Sequence, residues 1–486
     1  MAKVTNQQHQ PTGTISSVQG QVAQVTFADH RPSRYDILTV IDDPSTLLQV
    51  MSSASPSNFF CFILNPQHRL ARGTVVLNTQ EALQIPVGDE VLGRAFDIFA
   101  NPHDDGKKVE SKTWRQMFAT SNLGLADVKN PEEIIETGIK AIDFFTPILR
   151  GGKTALVGGA GVGKTVLLTA IMNRLVVQQQ DHGDNVAVFS AVGERSREAQ
   201  ELYLQLKEAQ ALPFTSLVLG QMGENPALRF LTAYASATIA EHFRENGKNV
   251  LFFMDNMYRF AQAGHELSTL MSAIPSEDGY QPTLSSEVAN LTERLISTQA
   301  ASITSFLAVF VPSDDLTDHG VRALFPYLDS MVILSRDVFQ AGRLPAIDLL
   351  RSISGALNPI TIGQKHYDTY IDAKRILETA NDLERIVSLI GESELSPDNQ
   401  KIYRRAQLIQ NYVTQDLFIT AATPEEGALY VPRAQTVDDI AQIIDGRFDE
   451  VAPDKLIYIK SLSDVKTPAA ATSSSPAPAP EAAPQK

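Results

Sequence analysis

One loop sequence constrains this chain more than any other feature. Residues 158–165 read GGAGVGKT and fit the pattern G-x-x-x-x-G-K-[ST], in which glycines let backbone N–H groups turn toward phosphate oxygens. An apolar run over 154–157 precedes the loop and a helical pattern over 166–172 follows it, which is the context that the motif requires. A chance glycine-rich turn is not expected to satisfy both conditions. We therefore assign phosphate binding to Gly158, Gly159, Ala160, Gly161, Val162, Gly163, Lys164 and Thr165.

The last two residues of this loop predict specific contacts with a nucleotide. Lys164 is expected to reach the β- and γ-phosphates, and the hydroxyl of Thr165 is expected to bind Mg²⁺. Phosphate binding alone does not make a hydrolase, so a carboxylate at the metal ion is also needed. Asp255 ends the apolar strand predicted over 250–254, where such folds hold Mg²⁺ through water. A strand-end aspartate that only caps the next turn is the alternative interpretation of Asp255.

A charged stretch over 192–198, with the sequence VGERSRE, follows another apolar strand predicted over 186–190. We expect this strand to lie next to the phosphate-binding strand. Glu194 would then polarise an attacking water and Arg195 would stabilise the water or the phosphate. On spacing alone, a solvated charge cluster at the start of a helix explains the stretch equally well.

Changes in residue pattern along the chain predict a multidomain α/β protein. Short alternating segments indicate an N-terminal β-barrel over 1–85, and near-continuous apolar strands separated by helices indicate a RecA-like P-loop nucleotide-binding domain over 86–357. Apolar residues spaced by three and four predict a C-terminal α-helical domain over 358–463. The Ala, Pro and Ser residues of 464–486 predict a disordered tail.

Composition excludes several classes of protein. The net charge is −15 and no run of Lys and Arg is present, which argues against a nucleic-acid partner. Cys61 is the single cysteine, so the chain forms no internal disulfide and no cysteine-cluster metal site. No signal peptide and no stretch of about 18 apolar residues appears. We expect a soluble chain that works at the cytoplasmic face of the cell membrane as a peripheral subunit.

Taken together, the motifs resemble the catalytic β subunits of F-type ATP synthases. The likeness runs over about residues 12 to 463 and follows the same domain order. It is carried by the phosphate loop and by the stretches 192–198 (VGERSRE), 220–222 (GQM), 254–260 (MDNMYRF), 279–284 (GYQPTL), 314–318 (DDLTD) and 334–336 (LSR).

The resemblance implies roles for individual residues. Glu194 would orient the attacking water, Arg195 and Arg259 would lie near the phosphate, and Glu198 and Asp255 would join Thr165 at Mg²⁺. The non-catalytic α subunits of the family have Gln where this chain has Glu194, so the chain resembles the catalytic type.

The family's architecture also implies the cofactor and the partners. The cofactor would be Mg²⁺ with ATP or ADP. The partners would be three α subunits in an α3β3 ring, a central γ rotor subunit and a membrane sector that moves protons or sodium ions. An arginine finger would come from a neighbouring α subunit.

Three departures from the family suggest a divergent or paralogous member. Leu344 and Thr423 replace the two aromatic residues that enclose adenine in the family, and a compensating ring such as Phe418 or Tyr430 stays open as an alternative. The acidic stretch that faces the rotor reads SELSPDN over 393–399, with two carboxylates left of five and an added proline. Gly355 replaces an arginine.

Other functions remain open at this level. A paralogous ATPase that works only in hydrolysis fits the same residues. A homohexameric ATPase of the flagellar or type III secretion kind shares the motifs but needs its own arginine finger, which the change at Gly355 disfavours. A Rho-like RNA translocase needs a basic channel, which the acidic composition disfavours. A non-catalytic β-like subunit is disfavoured because Lys164, Thr165 and Glu194 are present.

The loss of both adenine-enclosing rings generates a prediction. Because stacking of a base on an aromatic ring contributes about 1–3 kcal/mol, we expect ATP binding that is weak or poorly selective for adenine. Equilibrium titrations of the protein with ATP and GTP measure this directly. Tight binding with a strong preference for ATP would contradict the prediction.

Overall fold

The computed structural model describes residues 11–65, 69–118, 123–178, 185–276, 279–417 and 430–465. The first six strands close a β-barrel in the order β1-β2-β5-β4-β3-β6, with antiparallel neighbours throughout. Alternating apolar side chains fill the barrel, and Cys61 is fully buried among them. The strands are β1 (Thr12–Gln19), β2 (Val22–Thr26), β3 (Asp36–Val40), β4 (Leu47–Ser53), β5 (Asn58–Ile63) and β6 (Val75–Ala82).

The strands that follow build two small two-stranded sheets and one large sheet. They are β7 (Gln84–Val87), β8 (Ala95–Phe96), β9 (Thr113–Gln116), β10 (Ile134–Ile135), β11 (Ile148–Leu149), β12 (Lys153–Gly158), β13 (Asn185–Glu194), β14 (Thr215–Gln221), β15 (Asn249–Asp255), β16 (Ile303–Phe310), β17 (Ser330–Ile333) and β18 (Ile353–Ser354).

Helices alternate with these strands and then dominate the C-terminal part of the chain. They are α1 (Lys140–Phe145), α2 (Lys164–Gln178), α3 (Ser196–Glu208), α4 (Pro226–Glu245), α5 (Met257–Leu270), α6 (Leu284–Thr292), α7 (His319–Arg322), α8 (Arg336–Gln340), α9 (Pro359–Ile362), α10 (Gln364–Ile390), α11 (Pro397–Tyr412) and α12 (Arg433–Ile444). The predicted fold class, a barrel followed by an α/β nucleotide-binding fold and a helical region, is confirmed. The domain boundaries stay predictions.

The large sheet has the order β18-β17-β12-β16-β15-β13-β14-β8, and every pair except β17–β18 is parallel. The expectation that Glu194 follows a strand next to β12 is wrong, because β16 and β15 lie between β12 and β13. Parallel strands nevertheless end at the same edge of a sheet, so the residues after β12, β13 and β15 converge there. Order along the chain does not reveal this spacing, because β15 and β16 follow β13 in sequence.

Two apolar cores enclose the sheet. Side chains of α2 and α3 pack on one face together with those of α10, α11 and α12. Side chains of α4, α5 and α6 pack on the other face, and this core continues into the base of the barrel. The strands are buried on both faces, which explains their near-continuous apolar sequences.

A buried lysine joins the nucleotide-binding region to the C-terminal helices. Lys140 in α1 is fully buried, and its Nζ donates hydrogen bonds to the carbonyls of Tyr412 and Ile459 (2.8 Å for Ile459). Tyr412 in turn donates its hydroxyl to Asp439 at 2.7 Å. Burial lowers the pKa of Lys140 to about 7. These contacts fix the C-terminal helices against the face of the sheet that carries α2.

The two divergent loops take ordinary conformations. Pro397 occupies the first turn of α11, where it removes no needed N–H, and the side chain of Ser396 caps the helix by accepting from the N–H of Asn399. Gly355 follows the edge strand β18, and its N–H donates to the carbonyl of Asp329 at 2.8 Å.

Within the described ranges, the helices are too short or too polar to cross a membrane. The tail predicted over 464–486 falls, from residue 466 onward, outside the described residues, as do Thr423 and Phe418.

The sheet core generates a stability prediction. Phe253 is fully buried and stacks on Phe306 with ring centroids 5.0 Å apart. We expect Phe253→Ala to lower the free energy of unfolding by about 3–5 kcal/mol, because the truncation leaves a cavity. Urea-induced unfolding followed by circular dichroism measures the change.

Phe214→Ala is the matched control, since this ring is 37% exposed. A loss of stability as large in the control as in Phe253→Ala would contradict the prediction.

Candidate functional site

The loop between β12 and α2 adopts a conformation that requires glycine. Gly163 has φ of +92°, a left-handed value that favours glycine. Gly159 lies so close to Asp314 that a Cβ built on it would approach the carboxylate oxygen within 1.8 Å. The loop therefore packs its backbone directly against the segment that follows β16, and it leads into the N-terminus of α2.

Lys164 folds back over this loop. Its Nζ donates a hydrogen bond to the carbonyl of Gly159 and lies 5.6 Å from the centroid of the Phe310 ring. Burial lowers the pKa of Lys164 to about 8, and the carboxylates of Asp255 and Asp314 act in the opposite direction. The amine is therefore protonated at neutral pH and lies where a phosphate oxygen would replace the backbone carbonyl as its acceptor.

Thr165 and Asp255 meet across the sheet edge. The hydroxyl of Thr165 donates to Oδ2 of Asp255 at 2.9 Å, although the two residues follow strands that are not neighbours. The contact forms because α2 packs across β12, β16 and β15. Asp255 is 3% exposed, and burial raises its pKa. The hydrogen bond from Thr165 and the positive charge of Lys164 act in the opposite direction. A hydroxyl and a carboxylate are oxygen ligands of the kind that Mg²⁺ prefers.

Glu194 is buried. It lies three residues after Ala191, the residue of β13 that pairs with Asp255. Its carboxylate lies 3.7 Å from Nε of Arg259, whose guanidinium also donates to the carbonyl of Gly193. Burial is the main cause that raises the pKa of Glu194 to about 9, followed by a hydrogen bond with Glu198. The charge of Arg259 acts in the opposite direction.

Arg195 and Glu198 lie further toward solvent. They form an ion pair at 3.5 Å, in which the Arg195 side chain is 68% exposed and that of Glu198 is 39% exposed. Glu198 also hydrogen-bonds to Glu194, whereas Arg195 is the more exposed member of the ion pair. The structure thus brings Lys164, Thr165, Glu194, Arg259 and Asp255 together and leaves Arg195 at the rim.

Arg336 and Asp314 contact the phosphate loop, although the sequence alone did not assign them to the site. Arg336, at the start of α8, donates from Nη2 to the carbonyl of Ala160 at 3.1 Å and from Nε to Asp314 at 2.9 Å. Asp314 and the preceding Ser313 both have left-handed φ values, of 57° and 54°, which are strained for residues with a Cβ. Both Asp314 and Arg336 lie in stretches that resemble the family, and this was the available signal.

A cavity of about 550 Å³ opens beside the loop, and Glu194 is not among its lining residues. Leu344 lies in its wall. Tyr430 does not line the cavity, because its ring packs against Gly138 and its hydroxyl faces Glu136. Tyr430 is therefore wrong as a compensating ring. The other residues around the cavity are Val162, Gly163, Val166, Leu334, Phe339, Pro345, Ala346, Gln415, Asp416, Leu417 and Tyr458.

These groups fit Mg²⁺ held together with a nucleotide. Among the described residues, no group of three or more His, Cys, Asp or Glu side chains is arranged to hold a metal ion by itself. Mg²⁺ keeps several waters and is usually bound through one or two protein oxygens plus substrate phosphates. Thr165 and Asp255 offer those oxygens. The chemical arrangement is suited to phosphoryl transfer to water.

Comparison with known families agrees with this geometry. The model of the ATP synthase alpha/beta family, nucleotide-binding domain, matches residues 138–354. The model of the C-terminal domain of V and A type ATP synthase matches residues 359–444. The first match contains the loop, Glu194, Arg259 and Asp255, so the site lies within the part of the chain that is similar to the nucleotide-binding domain of this family. The second match differs from the F-type expectation.

Burial of Glu194 generates a prediction about stability. The pKa of Glu194 is about 9 in the folded protein, compared with 4.5 for an ordinary glutamate. Between these values the folded protein retains a proton that the unfolded chain releases, so Glu194 lowers stability progressively as the pH rises from 4.5 to 9. We expect Glu194→Gln to stabilise the protein without Mg²⁺ and nucleotide, and to do so more at pH 9 than at pH 5.

Urea midpoints of both proteins at pH 5, 7 and 9 measure this difference. The control is Glu201→Gln, at a side chain that is 53% exposed and paired with Arg197 on the surface. A stabilisation that does not change with pH would contradict the raised pKa.

Proposed function

We propose that this chain, whose residues 138–354 are similar to the nucleotide-binding domain of the ATP synthase alpha/beta family, is the catalytic subunit of a rotary ATPase. The observation that carries the proposal is the convergence of three strand ends: the loop after β12, Asp255 at the end of β15 and Glu194 at the end of β13. A nucleotide-binding site without catalysis needs only the first of these. The buried Glu194 is the group that adds hydrolysis.

Each side chain has a distinct task in this proposal. The backbone N–H groups of the loop and Lys164 bind the phosphates, and Thr165 and Asp255 hold Mg²⁺, with Glu198 in its outer shell. When bound, Mg²⁺ neutralises the negative charge that develops on the phosphates. Arg259 lies beside Glu194 and within reach of the same space, where it stabilises negative charge on the transferred phosphoryl group.

Glu194 orients the attacking water by accepting a hydrogen bond from it. Burial raises the pKa of Glu194 to about 9, so the ionised carboxylate that this role requires depends on nearby positive charge. Arg259 favours the ionised form, which is the form that accepts from water. Reversal of the same steps makes ATP from ADP and phosphate.

The site is incomplete in a single chain under this proposal. An arginine finger is supplied by a neighbouring subunit, and the neighbours are α subunits in an α3β3 ring around a central γ rotor. A membrane sector then couples catalysis to the movement of protons or sodium ions. The acidic net charge of −15 supports a protein ring rather than a nucleic-acid partner.

Two rotary classes compete for the finer assignment. The F-type assignment rests on the likeness of 192–198 and the loop to the catalytic β subunits. The match of residues 359–444 to the C-terminal domain of V and A type ATP synthase favours a second candidate, a V- or A-type catalytic subunit. Affinity purification of the tagged chain from its native membranes, with mass spectrometry of the associated subunits, separates the two.

The role of Glu194 generates a prediction about turnover. We expect Glu194→Gln to keep nucleotide binding, because the loop and Lys164 are unchanged, and to reduce steady-state ATP hydrolysis of the assembled complex by at least about 100-fold. Nucleotide titration and a phosphate-release assay on the same preparation measure the two properties.

Glu201→Gln on the neighbouring helix is the control and should hydrolyse ATP at the normal rate. Normal turnover of the Glu194→Gln complex would refute the role assigned to this residue.

A further inference from the structure

Two aromatic residues, Phe339 and Tyr458, line the cavity next to the phosphate loop. They lie at other positions in the sequence than Leu344 and Thr423, where the family's adenine-enclosing rings are missing. We propose that Phe339 and Tyr458 form the platform on which the nucleobase stacks, and that this platform accepts adenine and guanine alike. The inference rests on the proposed function, since it concerns the base of the same nucleotide. It replaces the expectation that the base site lacks aromatic walls.

The position of the cavity fits a nucleobase. Val162, Gly163 and Val166 form one side of it, so it begins where the phosphate loop turns into α2. The opposite side is built by Leu344 and the segment 415–417 from the C-terminal region. A volume of about 550 Å³ accommodates a base with its ribose. The wall is mostly apolar, which favours a stacked base over water.

Tyr458 is held in one orientation at both ends. Its backbone has φ of +60°, a left-handed value that a tyrosine adopts only when its surroundings impose it. Its N–H donates to Oγ1 of Thr414 at 2.9 Å, and its hydroxyl donates to the carbonyl of Gly342 at 3.1 Å. The ring is nevertheless 39% exposed. A ring that is rigid but partly open is already arranged to receive a ligand, with little entropy left to lose.

Phe339 offers a second ring from the nucleotide-binding side. It lies on α8, which is fixed at its start by the cap of Ser335 and by the contacts of Arg336 with the phosphate loop. The ring is 43% exposed. Phe339 lines the cavity, so a base bound there would cover part of its exposed apolar surface.

The amide side chain in the cavity wall is not available to read the base. Oε1 of Gln415 accepts from the N–H of Lys140, and its Nε2 donates to the carbonyl of Gly138. The N–H of Gln415 donates to the carbonyl of Leu344 at 2.7 Å, which joins these two parts of the wall. Asp416, the charged residue of the wall, is exposed. Stacking itself tolerates any base.

Binding assays on the full chain test the platform. Tyr458→Ala and Phe339→Leu are titrated with ATP, GTP and inorganic tripolyphosphate, each with Mg²⁺. We expect both variants to weaken ATP and GTP binding by about tenfold, and to leave the dissociation constant of tripolyphosphate unchanged, because tripolyphosphate has no base. In the unchanged protein, the constants for ATP and GTP should agree within about threefold.

Conservative variants separate stacking from folding. Tyr458→Phe keeps the ring and should retain near-normal ATP affinity, whereas Phe214→Ala, at an exposed ring outside the cavity wall, is the matched control and should bind normally. In Tyr458→Trp, binding of ATP or GTP should quench the fluorescence of the introduced indole, whereas binding of tripolyphosphate should not. Trp114, the single native tryptophan, lies in β9 and provides a constant background.

Equal ATP affinity in Tyr458→Ala and the unchanged protein would overturn the inference. A loss of tripolyphosphate binding in the variants as large as their loss of ATP binding would also overturn it, and so would a strong preference of the unchanged protein for ATP over GTP. If the unchanged protein binds tripolyphosphate and nucleotides equally well, the platform is refuted while the phosphate site stands. If it binds none of the three, the proposed function itself fails.

Discussion

The contact between the hydroxyl of Thr165 and the carboxylate of Asp255 is the interaction on which the site depends. It links the first turn of α2 to the end of β15, a strand separated from β12 by β16. The link exists only because α2 lies across the sheet and is held there by the core that it shares with α3 and the C-terminal helices. The packing of distant apolar residues thus sets the distance between two oxygen ligands.

The same edge of the sheet concentrates charged groups in a poorly hydrated space. Burial raises the pKa of Glu194 and Asp255 and lowers that of Lys164, so each group resists ionisation in the absence of ligand. Such an arrangement lowers stability, and a ligand that brings both phosphate charge and a divalent cation relieves it. The chain therefore couples nucleotide binding to the electrostatics of its own interior.

The C-terminal region is joined to the nucleotide-binding region by several contacts. Lys140 and Gln415 join the C-terminal helices to the nucleotide-binding region through buried hydrogen bonds, and the hydroxyl of Tyr458 donates to the carbonyl of Gly342, just after α8. This region also carries the match to the V and A type C-terminal domain. Movement of these helices would change the base cavity directly, because its far wall belongs to them.

The sequence by itself determined the chemistry and the layers of the fold. The loop 158–165 and the strand-end residues Asp255 and Glu194 were identifiable because a phosphate cradle needs glycines, and because parallel strands present their ends at one edge. The barrel and the helical region followed from periodicity. The tertiary structure was needed to show which strands are neighbours, that Arg336 and Asp314 contact the loop, and that Phe339 and Tyr458 line one cavity beside it. These facts depend on contacts between separate elements of the chain, and a local residue pattern carries no information about such contacts.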